Sequence, residues 1–284
     1  MSDLFAENIN GIKICYDLKG KGEPIVLVHG FGDRKEHWRA QYRELAEHFK
    51  VIRVDNRGAG KSDRPEGVYT MELFADDIAA LLDYLKIQKT HVIGHSLGGM
   101  IVQNFALKYP NRVYKIVLIN TIAGVTPPEI PPDQGIDIYR KNAIVGIEAR
   151  EKDPLNAFLN GAKHSYSRAF WKQMRENPKR KFHNIWSVED LVEEKTKFGP
   201  TEKDINHQAE ALRTHNTYGK LNEIKNEVLI IAADKDKTCP MLMNKKIHDL
   251  LPNSKFVVIE NAGHQSILEY PNLINSYIID FLKS

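Results

Sequence analysis

Residues 91–102 read HVIGHSLGGMIV and hold a serine between glycines, because Gly94, Ser96 and Gly98 form the pattern G-x-S-x-G. HVI is typical of a strand, and the following run LGGMIVQNFALKYP is typical of a buried helix that Pro110 ends. A sharp strand-to-helix turn of this kind exposes a serine Oγ at a sheet edge, and glycines flank the serine because a Cβ would clash. The pattern predicts that Ser96 is a nucleophile; the alternative is a small residue in a tight turn.

A serine hydroxyl needs a base to take its proton, and His264 is the best placed of the eleven histidines. It lies in ENAGHQSILEYP, on a glycine-containing loop just after the last apolar strand run. Ligand sites form at the edge where the carboxyl ends of parallel strands meet. We therefore expect His264 beside Ser96; the alternative is a histidine that only caps a helix.

The base needs a carboxylate that holds its tautomer and stabilises the imidazolium. The strand candidate LIIAA is followed by DKDKTCP, which offers Asp234 and Asp236. The run KIVLI is followed by Asn120 and Thr121 and offers no acid. Both aspartates stay open at this point, although Asp236 lies deeper in the loop and has the better reach.

Two backbone N–H groups are needed to stabilise the negative charge on an attacked carbonyl oxygen. The residue after the nucleophile, Leu97, offers one. HGFGD, after the first predicted parallel strand, is suited to offer the other from Phe31, because Gly30 and Gly32 let the loop pass close to a substrate. We interpret His29 as a structural residue that shapes this loop.

Six short apolar runs predict the strands that position these residues, since continuous β-branched runs suit strands covered on both faces. Residues 71–86 and 267–282 carry apolar residues at helical spacing; the second stripe includes Leu273 and begins near Pro271. Residues 3–18 predict an antiparallel pair at the sheet edge. The alternation indicates βαβ units and a mostly parallel, eight-stranded α/β sheet flanked by helices. The runs are PIVLVHG (24–30), KVIRVD (50–55), HVIGH (91–95), KIVLIN (115–120), EVLIIAA (227–233) and KFVVIE (255–260).

One stretch, from Ile122 to Leu221, interrupts this alternation. It opens with the proline-rich TPPEIPPD (126–133), which is excluded from helix interiors and central strands, and then turns polar and helical. A long insertion between two strands is typical of a lid. We therefore expect a core of residues 1–121 and 222–284, with a helical cap of residues 122–221 inserted after strand 6.

The composition excludes several classes of protein. The chain has 284 residues, 42% of them hydrophobic and 27% charged, and its net charge of +3 is too small to indicate a nucleic-acid partner. The N-terminus MSDLFAENIN lacks the regions of a signal peptide, and no run approaches the roughly 20 apolar residues of a membrane span. We expect a cytoplasmic protein with no membrane partner. Cys15 and Cys239 show no metal-ligand spacing and are expected to be reduced thiols.

The chain resembles the α/β-hydrolase superfamily over nearly its whole length. The resemblance rests on LVHGFG, VDNRGAGKSDRP, VIGHSLGGM, AADKDKTCP and NAGHQSILEYP, and on the order Ser, Asp, His along the chain. It implies a helical cap over the site. The roles it implies are Ser96 as nucleophile, His264 as base, Asp236 as the acid that orients the base, and Phe31 and Leu97 as oxyanion donors.

Departures from the family pattern exclude or disfavour some of the reactions that the family catalyses. A serine rather than an aspartate at position 96 argues against dehalogenases and epoxide hydrolases. Gln265 follows the histidine, where carbon–carbon bond hydrolases of ring-cleavage pathways often carry an aromatic residue. The stretch Arg57–Ser62 matches a structural family motif, and Ala233 replaces a usual glycine. The prediction is a serine carboxylesterase that cleaves a small-molecule ester, thioester or lactone through an acyl-enzyme, without cofactor or metal, as a monomer or homodimer.

Two other hypotheses stay open. The same triad would serve acyl transfer, or a meta-cleavage-type or enol-lactone hydrolase acting on an acidic substrate; alternatively, a hydrolase scaffold could serve only binding. Residues 140–183 hold eleven Lys or Arg and four acids, which indicates either a solvated helical face or attraction of an acidic substrate. Four aromatic residues of the insertion could line an acyl pocket or form its core: Phe158, Phe170, Trp171 and Trp186.

Overall fold

A computed structural model of the protein describes residues 3–124 and 132–284. All eight strands belong to one sheet, with the order β1-β2-β4-β3-β5-β6-β7-β8. The strands are β1 (Leu4–Ile9), β2 (Ile12–Lys19), β3 (Pro24–Val28), β4 (Lys50–Val54), β5 (Thr90–His95), β6 (Val113–Ile119), β7 (Glu227–Ala233) and β8 (Ser254–Ile259).

The sheet is parallel except around β2, which pairs in antiparallel fashion with both β1 and β4. The register aligns the strand ends, since Val28 is opposite Gly94, and His95 is opposite Ile119. The loops that leave β3, β5, β6, β7 and β8 therefore share one edge. The predicted eight-stranded, mostly parallel sheet and its antiparallel edge pair are confirmed.

Helices flank the sheet within the described residues, and alternate strand residues face two apolar clusters, one containing Val26 and Val92, the other Ile25 and Ile93. This is the pattern expected of strands buried on both faces. The helices are α1 (Arg39–Leu45), α2 (Met71–Tyr84), α3 (Leu97–Lys108), α4 (Pro132–Lys152), α5 (Pro154–Ser165), α6 (Arg168–Glu176), α7 (Val188–Phe198), α8 (Glu202–Arg213), α9 (Met241–Leu250), α10 (Ser266–Glu269) and α11 (Pro271–Lys283).

Five helices of the described residues, α4 to α8, are inserted between β6 and β7. Apolar residues of this insertion join the same two clusters that the sheet forms: Trp186, just before α7, lies in one with Ile267, and Leu212 of α8 lies in the other with Met100. The proline-rich stretch lies outside the described residues over 126–131. Whether residues 122–221 act as a separate cap stays a prediction.

The helical pattern over 267–282 falls on two helices, and the second begins at Pro271, as expected. It is divided into α10 and α11 at Tyr270, whose φ of −130° and ψ of 52° are not helical. Proline disfavours the α conformation in the residue before it, so the chain breaks before Pro271 and restarts with that proline in the first turn. Leu273, placed on the apolar stripe, is 45% exposed, whereas its neighbour Ile274 is buried.

Candidate active site

Ser96 occupies the turn between β5 and α3 in a conformation that few non-glycine residues adopt. Its φ is 55° and its ψ is −122°, which is backbone strain that surrounding structure must support. Gly94 and Gly98 make the turn possible: a Cβ on Gly94 would lie 2.3 Å from the Gly98 oxygen, and one on Gly98 would lie 2.0 Å from the Val28 oxygen. The two glycines therefore have the steric role that the sequence pattern predicts.

The backbone of Ser96 is fixed by β6 and the loop after it. The Ser96 N–H donates to the Ile119 oxygen at 3.0 Å, and the Thr121 hydroxyl donates to the Ser96 oxygen at 2.7 Å. Only 6% of Ser96 is exposed. The sheet therefore holds the strained turn by direct hydrogen bonds from a neighbouring strand.

His264 and Asp236 are hydrogen-bonded to each other. The distance from His264 Nδ1 to Asp236 Oδ2 is 2.8 Å, and the backbone N–H groups of Thr238 and Cys239 donate to Asp236 Oδ1 at 2.8 and 2.9 Å. A carboxylate held in this way accepts the Nδ1–H and leaves Nε2 with its lone pair. Asp234 instead accepts the N–H of Ala262 at 3.3 Å, so the structure brings Asp236, of the two aspartates, to His264.

The carbonyl of His264 is also held, by two buried side chains at the sheet edge. His95 Nε2–H donates to it at 2.9 Å, and Asn120 Nδ2 donates to it at 2.8 Å. Burial lowers the pKa of His95 well below its ordinary value, which keeps the ring neutral. His95 and Asn120 therefore position the backbone of the base.

A row of polar groups continues behind His95. His37 Nε2 lies 3.1 Å from His95 Nδ1, and His37 Nδ1 lies 3.3 Å from Asp33 Oδ2. Burial lowers the pKa of His37 to about 4. Asp33 receives a hydrogen bond from Lys195 on α7 at 3.0 Å. The row therefore runs from an inserted helix to the backbone of His264.

The loop after β3 approaches Ser96 directly. A Cβ on Gly30 would lie 3.3 Å from the Ser96 Cβ. Within residues 3–124 and 132–284, neither the Phe31 nor the Leu97 N–H has a hydrogen-bond acceptor. Both amides are thus free to donate to a ligand near Ser96, as a pair of oxyanion donors must be.

Three inserted helices contact three successive residues of that loop. The Phe31 ring lies 4.9 Å from the Tyr139 ring of α4, and the Gly32 N–H donates to Gln208 Oε1 of α8 at 2.9 Å. The third contact is the Lys195–Asp33 pair. Sequence reasoning missed Gln208, although its position one residue before Ala209 on a buried apolar stripe is a signal, since a buried amide needs a partner.

The insertion also contacts the loop of His264. The Gln265 N–H donates to the Ser165 oxygen at 2.8 Å. Glu269 Oε1 accepts the N–H groups of Gly263 at 2.8 Å and of Ser167 at 3.0 Å. One carboxylate therefore bridges the residue before His264 and the start of α6, a role that the sequence analysis did not assign.

The residues interpreted as structural make structural contacts. His29 is fully buried; its Nδ1–H donates to the Gly30 oxygen at 2.9 Å, and its Nε2 accepts the Asn56 N–H at 3.1 Å. Arg57 pairs with Asp77 at 2.6 Å.

The basic residues between 140 and 183 and the aromatic residues Phe170 and Trp186 of the insertion have different surroundings. Of the eleven basic residues between 140 and 183, all but Arg140 and Arg150 are exposed. Phe170 and Trp186 pack on Phe182, with ring centroids 4.7 and 4.9 Å apart. The described contacts therefore support a solvated face for the basic residues and a helical core for the aromatic residues.

One set of described side chains has the donors of a metal site: single ligand atoms of Asp236, Cys239 and His264 all lie within 4.8 Å of one another. No helix in residues 3–124 or 132–284 meets the length and apolarity that a bilayer span requires.

Comparison with known proteins places the chain in a family. The profile of the alpha/beta hydrolase fold family matches residues 23–271, so the chain belongs to the α/β-hydrolase fold family. The predicted resemblance is confirmed, and the enzyme class that fold and family define is a hydrolase.

Several relatives carry names that differ in substrate. A "Putative carbamate hydrolase RutD" of Caulobacter segnis is 30% identical over 95% of this chain and 96% of its own length. A 2-hydroxy-6-oxononadienedioate/2-hydroxy-6-oxononatrienedioate hydrolase of Paraburkholderia phymatum is 29% identical over 95% of this chain and 91% of its own. The structure of Est816, titled an N-acyl homoserine lactone degrading enzyme, is 26% identical with a TM-score of 0.76, covering 98% of this chain and all of its own.

Proposed function

We propose that this protein is a serine hydrolase that cleaves a small carboxylic ester, thioester or lactone. Ser96 is the nucleophile, His264 the base, and Asp236 the acid that orients the base. The observation that carries the proposal is the 2.8 Å hydrogen bond between His264 Nδ1 and Asp236 Oδ2, at the sheet edge where Ser96 sits in its strained turn.

In this mechanism Ser96 Oγ attacks the carbonyl carbon while its proton passes to His264 Nε2. The carbonyl oxygen becomes an oxyanion that accepts the N–H groups of Phe31 and Leu97. His264 gives the proton to the departing alcohol or thiol, which leaves the acyl group on Ser96. Water then attacks the acyl-enzyme, with His264 taking its proton, and releases the acid and the free serine.

We also propose that the five inserted helices form the cap that residues 122–221 were expected to provide. Support comes from their contacts with both loops of the site, at Gly32 through Gln208 and at Gln265 through the Ser165 oxygen. A segment that touches both the oxyanion loop and the base loop is placed to decide which acyl groups enter.

Replacing the nucleophile tests the reaction. Ser96→Ala should lower kcat on p-nitrophenyl esters by roughly 10⁴–10⁶-fold, and a fluorophosphonate should label the wild type but not the variant. Ser276→Ala, an exposed serine on α11, is the matched control and should keep both activity and labelling. Retention by Ser96→Ala of more than about a tenth of the activity would contradict the assignment.

A second candidate is hydrolysis of a carbon–carbon bond in a diketone acid, favoured by the relative from Paraburkholderia phymatum. Gln265 after the base disfavours it, because aromatic residues often stand there in such enzymes. A panel of p-nitrophenyl esters and lactones of graded acyl length, assayed beside a vinylogous diketone acid, separates the two. Turnover of the diketone with inert esters would replace the ester proposal.

A further inference from the structure

Cys239 is a free thiol beside the proposed nucleophile. It lies in the loop after β7, three residues beyond Asp236, and is 2% exposed. Its backbone N–H donates to Asp236 Oδ1 at 2.9 Å, and Ser96 is among the neighbours of its side chain. The proposed mechanism gives this thiol no role.

The surroundings of Cys239 combine three kinds of metal donor. Its sulfur, a ring nitrogen of His264 and a carboxylate oxygen of Asp236 lie within 4.8 Å of one another, and all three residues are buried. Zinc binds these atom types at about 2.0–2.3 Å in a tetrahedron, which places neighbouring donors roughly 3.5 Å apart. To reach this geometry the longest separation would shorten by about 1 Å, and the 2.8 Å hydrogen bond between His264 Nδ1 and Asp236 Oδ2 would open.

We propose that Cys239, His264 and Asp236 form an inhibitory binding site for a thiophilic divalent cation, with zinc as the preferred ligand. A thiolate selects zinc and related soft cations over magnesium and calcium, which prefer oxygen donors. Binding at this site removes His264 from proton transfer. The inhibitory part of this proposal rests on the proposed function, whereas the binding part does not.

Binding exchanges a proton for the metal. The S–H bond of Cys239 breaks, the sulfur–metal bond forms, and that proton leaves to solvent; the metal takes the unprotonated nitrogen of the neutral His264 ring, and no oxidation takes place. Burial, and then the nearby Asp236, raise the pKa of the Cys239 thiol well above its ordinary value. A cation that binds here has to displace this proton, and thiophilic cations form the stronger bond to sulfur.

The chain supplies a matched control, because Cys15 on β2 is its only other cysteine and is also free and buried. Burial raises the pKa of the Cys15 thiol as well, to about 12. The two thiols therefore share burial and protonation and differ in their neighbours. Cys239→Ser and Cys15→Ser separate the effect of a site from the effect of a buried thiol.

The binding test uses Co²⁺ as a spectroscopic probe. Titrated into the wild type and Cys15→Ser, Co²⁺ should produce a thiolate-to-cobalt charge-transfer band in the near ultraviolet that zinc removes. Cys239→Ser should lack the band. His264→Ala should weaken the affinity by at least about tenfold, since loss of even an outer-shell partner costs 10–100-fold.

The inhibition test measures ester hydrolysis against zinc concentration, each variant relative to its own metal-free rate. The concentration for half inhibition should rise at least about tenfold in Cys239→Ser and stay unchanged in Cys15→Ser, with chelator restoring activity. A cobalt band that survives Cys239→Ser, that vanishes only in Cys15→Ser, or that is absent from the wild type overturns the site. If the band behaves as expected but Ser96→Ala keeps its esterase activity, the site stands and the proposed function fails.

Discussion

Two regions meet at Ser96, and they hold the site by different means. The sheet edge fixes Ser96 and the backbone of His264 through strands and buried side chains, as in the bond from the Ser96 N–H to the Ile119 oxygen. The inserted helices reach the site through single contacts, such as the hydrogen bond between Gly32 and Gln208. The turn of Ser96 is thus held by the core, whereas the loops of Phe31 and His264 also depend on the insertion.

The Ser96 turn and the loop at residues 31–33 also differ in how many interactions support them. The strained turn at Ser96 is supported by many interactions, so no single neighbour decides its position. The loop at residues 31–33 receives one side chain from each of α4, α7 and α8. Changes in the core should therefore act on the chemistry itself, and changes in the insertion on how well the loops are placed.

The largest expected effect comes from the core. Asp236→Asn should lower kcat/KM by roughly 10³–10⁴-fold, because an amide at that position favours the wrong tautomer of His264. Asp234→Asn is the matched control two residues away and should change the rate less than about threefold. Steady-state kinetics on a p-nitrophenyl ester measure both; equal losses would remove the distinction between the two aspartates.

An intermediate effect is expected from the insertion. Gln208→Met keeps the length of the side chain but removes the acceptor for the Gly32 N–H, so the Phe31 amide loses its fixed direction. We expect kcat to fall about tenfold with little change in KM, the signature of an interaction made in the transition state.

The control for that prediction is Gln173→Met on α6, an exposed glutamine. It should leave kcat, KM and Tm unchanged. A loss of Tm in Gln208→Met that parallels the loss of activity, or a change confined to KM, would show that Gln208 serves folding or substrate binding instead.

The smallest expected effect concerns stability. Burial raises the pKa of Glu269 above its ordinary value, against the opposing hydrogen bonds from Ser167 and Gly263. A raised carboxyl pKa in the folded state means that its contribution is complete at low pH and is lost as pH rises through the folded pKa. Glu269→Gln does not titrate, so its Tm relative to wild type should increase by about 2 °C between roughly pH 4 and pH 8.

Glu223→Gln, at an exposed carboxylate, is the control for this trend. Its Tm difference from wild type should stay flat over the same range. A Tm difference for Glu269→Gln that falls with rising pH would mean that the charged carboxylate stabilises the junction with the insertion.

Much of the core could be predicted from the sequence because its signals are local. Each buried strand is a continuous apolar run, and G-x-S-x-G specifies a turn whose steric needs the structure reproduces at Gly94 and Gly98. The pairing of His264 with Asp236 follows once both loops leave neighbouring parallel strands.

The contacts of the insertion could not be predicted in the same way. Gln208 and Gly32 are 176 residues apart in the chain, and no periodicity links them. The sequence pattern places Glu269 in a helix and says nothing of its carboxylate. Only the three-dimensional structure shows which backbone N–H groups reach that carboxylate. The start of α11 is different: Pro271 predicts it locally, because proline is favoured in the first turn of a helix.

The row of polar groups from Lys195 to His264 has fewer ring N–H protons than contacts between its members. Its three contacts run from the Asp33 carboxylate through His37 and His95 to the His264 carbonyl, and both ends only accept. Three contacts need three protons, but two neutral imidazoles carry two. Because His37 donates from Nε2 to His95 Nδ1, its Nδ1 carries no proton at the 3.3 Å contact with Asp33 Oδ2. Lys195 donates to the other oxygen of Asp33, so the inserted helix stabilises a carboxylate that His37 leaves without a donor.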